Sequence, residues 1–145
     1  MVTGANGVLG TAVVSRIVSS SRLSASYYGV YTVRNAATAH FLDATLVRQG
    51  SFRSPQHDSS TFPHSHEKIS LDLSRFSSVR KAAAEINERV AAVTVPRIHA
   101  IVLNAGYEGF EKQTWTEDGL DTTFATNYLG YWLLTVLLLQ SMDIK

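Results

Sequence analysis

The sequence predicts an α/β domain built as a doubly wound parallel sheet. Segments rich in β-branched and aromatic residues alternate regularly with segments of helical period. The strand candidates are near-continuously apolar, as strands covered on both faces are. A glycine-rich turn over residues 4–10 joins the first strand candidate directly to the first helix. Such alternation argues for a parallel sheet with helices on both sides.

Met1, Val2 and Thr3 read as a short first strand that ends at Gly4. Leu9, Ala12, Val13 and Ile17 recur at helical spacing and predict a helix over 9–18, closed by Ser19, Ser20 and Ser21. Residues 27–33 are aromatic and β-branched and form the second strand; 36–47 form the second helix. Residues 49–66 hold Gly50, Pro55, Pro63 and three histidines and read as a long polar loop, centred on 50–66. Ile69, Ser70 and Leu71 make a short third strand. A helix follows over 74–93, capped by Ser74 or Ser77 and closed by Pro96. Residues 98–103 are the fourth strand, and a long helix spans 117–142. The sheet is therefore expected to stop after its fourth strand and the following helix, as one domain over 1–145.

Composition narrows the function. A chain of 145 residues with 45% hydrophobic and 17% charged residues fits one ordinary globular domain. The formal net charge of +1 gives no broad field for nucleic acid or anionic lipid. With no cysteine, disulfides, thiolate metal sites and cysteine nucleophiles are excluded, and a reducing compartment fits. The start lacks the basic and apolar regions of a signal peptide. The most apolar run, 128–139, is shorter than the roughly 20 residues of a membrane span. A cytoplasmic protein is expected. His57, His64 and His66 could hold a metal in principle, but spacing fixes no third ligand and a solvated loop is the favoured reading. Trp115 and Trp132 read as packing residues.

The glycine turn has a chemical use. A glycine at a strand end lets the chain turn sharply, a second lets backbone approach a pyrophosphate, and a third lets the helix pack close to the sheet. Phosphates then meet the free N–H groups of the helix N-terminus. The same turn also serves as a plain strand-to-helix connection.

Thr3-Gly4 with Gly7 and Gly10, Asp72-Leu73 after the third strand, Asn104-Ala105-Gly106 after the fourth and Asn127-Tyr128-Leu129-Gly130 in the last helix occur together and in order. In this combination the chain resembles the N-terminal half of the short-chain dehydrogenases/reductases, with their Rossmann-like fold. The resemblance covers essentially the whole chain. Two positions depart from the classical pattern. Val8 stands where the middle glycine is usual, with Gly7 one place earlier, and Leu103 stands where the family usually has a first asparagine.

The resemblance implies a dinucleotide site formed by Thr3, Gly4, Asn6, Gly7, Val8, Leu9, Gly10, Arg34, Asp72, Leu73, Asn104, Ala105 and Gly106. Asp72 would accept from the adenine amino group, with the Leu73 backbone beside it; its alternative role is to cap the next helix. Asn104, Ala105 and Gly106 would shape the wall beside the ribose. Arg34 follows the second strand directly, and no acidic residue lies between Tyr27 and Ala39. An arginine there suits a 2′-phosphate, so NADP is preferred over NAD. Asn127 matches the asparagine of the family's catalytic tetrad, which helps hold a water in a proton relay.

The other tetrad members have no match. Four residues before Lys68, Lys81, Lys112 and Lys145 stand His64, Ser77, Glu108 and Ser141, so no Tyr-x-x-x-Lys occurs in these residues. Three readings follow. The first is the NADP-binding portion of an oxidoreductase whose complete form moves hydride between NADPH and a carbonyl or alcohol substrate. The second is a non-catalytic dinucleotide-binding or interaction module that pairs with a full-length relative, with the 117–142 helix also a surface for self-association. The third is a doubly wound domain without nucleotide.

Overall fold

The computed structural model describes residues 1–20, 27–51, 64–110 and 112–143. Its regular elements are α1 (Val8–Val18), β1 (Tyr27–Val33), α2 (His40–Ser51), β2 (His64–Ser70), α3 (Phe76–Ala91), α4 (Thr122–Phe124) and α5 (Gly130–Leu138).

β1 and β2 pair in parallel from Tyr27 opposite His64 to Val33 opposite Ser70. Val2 continues the sheet on the other side of β1. Its N–H donates to the Val30 carbonyl at 2.9 Å, and its own carbonyl accepts from Thr32 N–H at 2.9 Å. Val2 also bridges in parallel to Val102, and Ile98 to Met142. In chain order the strand segments therefore lie 3-2-1-4, the first part of the dinucleotide-fold order. After the last helix, Met142 makes one isolated parallel bridge to Ile98 at the edge of the fourth segment.

Successive strand residues face opposite sides, and the core divides accordingly. Tyr31 and Val33 pack with Val2, Val14, Val18 and Leu42 under α1 and α2. Val30 and Ile69 pack with Val79, Ala82, Ile86, Leu134 and Leu138 under α3 and α5. Two helical layers thus enclose one parallel sheet, as the residue pattern predicts.

Several boundaries move. The predicted helix 36–47 breaks into a 3-10 turn, Ala36–Thr38, and α2. Asn35 Oδ1 accepts from Ala37 N–H and closes the turn, while Asn6 Oδ1 accepts from Leu42 N–H in the first turn of α2. The third strand starts at His64 rather than Ile69. Its polar residues find partners off the sheet: Lys68 Nζ meets Asp43 at 2.7 Å, and Glu67 pairs with Arg89. The expected loop loses both ends to α2 and β2; residues 52–63, including His57, lie outside the described residues.

Neither serine caps α3. Its N-cap is Arg75, and Ser74 donates to Asp72 instead. The predicted 117–142 helix starts at Thr122, because Trp115 and Asp121 form an antiparallel bridge first. It also changes pitch, with a π-helical turn, Ala125–Leu129, between α4 and α5. The two tryptophans are not packing residues: Trp115 is 65% and Trp132 61% exposed. No helix among the described residues is long and apolar enough to cross a membrane.

Candidate functional site

The strand ends Thr3, Val33, Leu71 and Val102 all point their chains toward one edge of the sheet. The loops that leave them line a crevice of about 810 Å³. Gly4, Asn6, Gly7, Val8, Leu9 and Gly10 line it on the side of α1. Arg34 stands after β1, Asp72 and Leu73 after β2, and Asn104, Ala105 and Gly106 after the fourth strand. Two of the sequence-predicted residues lie apart from the lining. Thr3 is fully buried beneath it, and Asn127 reaches the loop at Tyr107.

The turn is built by close approach. Gly4 has φ of +62°, a left-handed conformation that side chains rarely adopt. A Cβ at Gly10 would lie 2.1 Å from the Gly4 carbonyl oxygen. Only glycine lets α1 start this close to the strand. Helix α1 begins at Val8 with Gly7 as its N-cap and no side chain capping it. The first-turn N–H groups of a helix have no partner within the helix. Here they open toward the crevice without an acidic residue in the first turn. Val8, at the position of the classical glycine, is 89% exposed and lines the crevice.

Thr3 ties the floor together. Its Oγ1 accepts from Asn104 N–H at 2.9 Å and Ala105 N–H at 3.1 Å, and it shares a hydrogen bond with the Tyr131 hydroxyl at 3.1 Å. Tyr131 also donates to the Ala105 carbonyl. The Asn104 carboxamide donates to the Thr3 carbonyl at 3.0 Å. The first and fourth strand ends are thereby fixed to one another and to the start of α5. This role of Tyr131 had no signal in the sequence, since a tyrosine in an apolar helix reads as packing.

Asp72 uses Oδ1 to accept from both the backbone N–H and the hydroxyl of Ser74, at 3.0 and 2.7 Å. Its own N–H donates to Ser78 Oγ at 3.0 Å. The carboxylate is thus oriented locally and still lines the crevice. Arg34 is exposed at the crevice mouth and has no ion-pair partner among the described residues. Beyond it Arg75 holds Glu117 at 2.8 Å, and that hydrogen bond keeps the Glu117 carboxyl below its ordinary range.

Among the described residues no group of three or more histidine, aspartate or glutamate side chains could hold a metal ion. His64 lies in β2 rather than in a loop, with Nε2 at 3.0 Å from the Tyr31 hydroxyl, and stacks on His66 at 5.4 Å.

No protein-family model matches the chain. A short-chain dehydrogenase of Talaromyces variabilis, iccH, is 45% identical over all 145 residues, which span 37% of its length. The NADPH-bound carbonyl reductase from chicken fatty liver superposes with a TM-score of 0.64 at 18% identity, over 97% of this chain and 50% of its own. A metagenomic short-chain oxidoreductase in complex with NADP superposes with a TM-score of 0.62 at 24% identity, over 94% of this chain and 52% of its own. The two structures share the fold. The chain is similar over its whole length to short-chain dehydrogenases/reductases, and it spans between about a third and a half of the length of the relatives it matches.

Proposed function

We propose that these 145 residues are the NADP-binding portion of a short-chain dehydrogenase/reductase-type oxidoreductase, and that this segment alone binds nucleotide without turning over substrate. The carrying observation is the crevice. It joins an uncapped helix N-terminus at Gly7 to an exposed arginine at its mouth, with Asp72 oriented along its wall. The uncapped N–H groups of Val8, Leu9 and Gly10 suit a pyrophosphate. Arg34 suits a 2′-phosphate, and Asp72 the adenine amino group. Asn104, Ala105 and Gly106 leave room for the ribose against backbone. The residues thus fit an anionic dinucleotide with an extra phosphate. In the complete enzyme the nicotinamide would supply a hydride for a carbonyl or accept one from an alcohol. Asn127 would position a water of the proton relay.

The test is a fluorescence titration of the chain with NADPH and NADH, beside Arg34→Ala. Wild type should prefer NADPH by about 10-fold or more, the scale of a charge-assisted contact. Arg34→Ala should bring NADPH down to the NADH affinity. Equal affinities in wild type would overturn NADP as the cofactor, and a folded chain that binds neither would overturn the nucleotide reading.

A second reading has one observation in its favour. Phe124, Tyr128, Trp132, Val136 and Leu139 recur along one exposed stripe, each 44–61% accessible. Continuous apolar surface of this kind favours association. In this reading the 117–142 segment pairs with a second copy or a full-length relative. Sedimentation of the chain against Trp132→Glu tests it: wild type should grow with concentration and the variant should stay monomeric.

A further inference from the structure

Thr126 is 9% exposed, and its Oγ1 is a buried atom with no hydrogen-bond partner. Buried hydroxyls are almost always paired, so an unpaired one asks for a reason. Neighbouring hydroxyls along the crevice are in use. Thr3 Oγ1 serves Asn104 and Ala105, Ser74 Oγ donates to Asp72, and Thr122 Oγ1 accepts from Thr114. Thr126 itself lines the crevice. Its helix is brought to the Asp72-Leu73 end, because Gly130, one turn further on, lies against the Leu73 carbonyl.

We propose that Thr126 is a further nucleotide-contacting residue, whose hydroxyl is completed by the purine base at the Asp72 end of the crevice. The proposal rests on the dinucleotide reading above and deepens it. A purine edge carries both donors and acceptors, and a hydroxyl can serve as either. The phosphates are drawn instead to the α1 N-terminus, which leaves the base as the group for this wall. In the free protein the hydroxyl is desolvated without return. On binding it gains its partner, so the interaction favours the complex over the free chain. The π-helical turn that carries Thr126 sets the side chain against the crevice while Asn127, next in sequence, turns to Tyr107.

The experiment measures NADPH and 2′,5′-ADP affinity, with melting temperature, for wild type, Thr126→Val and Thr126→Ser. Thr126→Val keeps the shape and removes the hydroxyl. It should weaken NADPH and 2′,5′-ADP alike by about 5-fold, the scale of one hydrogen bond. Its melting temperature should hold or rise, because an unpaired buried group has been removed. Thr126→Ser should restore the affinity. Wild-type affinity in Thr126→Val would overturn the proposal and leave the dinucleotide reading standing. Loss of NADPH affinity without loss of 2′,5′-ADP affinity would move the contact away from the base and overturn it too. So would a lower melting temperature with no rescue by serine, which marks a packing role. A folded wild type that binds neither ligand overturns the dinucleotide reading and this one with it.

Discussion

Asn127 grips both backbone groups of Tyr107. Its Oδ1 accepts from Tyr107 N–H at 2.9 Å, and its Nδ2 donates to the Tyr107 carbonyl at 2.7 Å. The pair behaves like one rung of a sheet, made between a helix and a loop. It holds the chain just past Gly106 against the π-helical turn. A wider turn loosens the regular backbone ladder at this point, and the carboxamide anchors the loop there.

Asn127→Ala should therefore release the loop. We expect a loss of about 1 kcal/mol in urea unfolding, the worth of a partly exposed hydrogen-bond pair. Amide exchange at Tyr107 should speed up while that at Leu134 holds. Asn127→Asp should cost more than alanine at neutral pH, because a carboxylate oxygen would then face the Tyr107 carbonyl. Unchanged exchange at Tyr107 in either variant would show that the contact carries no stability.

Gly10→Ala tests the turn under the crevice. The added Cβ would meet the Gly4 oxygen at 2.1 Å and the Ala5 Cα at 2.9 Å, both backbone atoms that cannot swing aside. Overpacking of this kind costs about 1–3 kcal/mol or more. The melting temperature should fall by several degrees, and nucleotide affinity should fall with it. Gly7→Ala is the control, since its Cβ would meet only the Gly4 oxygen at 3.4 Å, an ordinary contact.

Asn6 couples that turn to the second helix through Leu42 N–H at 3.0 Å. Asn6→Ala removes a cap-like acceptor, which is worth about 1 kcal/mol. Circular dichroism should show helix loss confined to α2, read out as faster exchange at Leu42 and Asp43. Thermal stability equal to wild type would mean that α2 holds its first turn without Asn6.

How much of this was readable in the residues depends on where each signal came from. β1 was legible to the residue, because Tyr27–Val33 is aromatic and β-branched around one glycine and is buried from Gly29 on. β2 was half missed. His64, Ser65, His66, Glu67 and Lys68 look like loop, yet pairing with β1 outweighs composition when edge polar groups find water or ion partners. The strand-end positions of Arg34, Asp72 and Asn104 followed from strand boundaries alone, and the crevice gathers them. The π-helical turn left no trace, since its apolar residues keep a helical rhythm. The hydroxyls of Thr126 and Tyr131 acquire meaning only when distant segments meet, which no local pattern encodes.

Tyr131 and Tyr31 give the fold an alkaline limit. Burial pushes the Tyr131 hydroxyl above its ordinary value, with the Thr3 hydrogen bond acting against the shift. Burial and the neighbouring Tyr27 push Tyr31 up as well. Both groups hold their proton more tightly folded than unfolded. Their contribution is complete below the unfolded value, about 10, and is lost as pH rises beyond it through the folded values. Urea midpoints should therefore stay level with respect to these groups up to about pH 9 and fall above about pH 10. Tyr131→Phe should start lower, by about 1 kcal/mol at pH 8, because the Ala105 carbonyl loses its donor and the Thr3 hydroxyl its partner. It should then fall less steeply between pH 10 and 11 than wild type. Parallel curves for the two proteins would mean that Tyr131 ionises as freely in the folded chain as in the unfolded one, and that its hydroxyl is not the lock between α5 and the crevice floor.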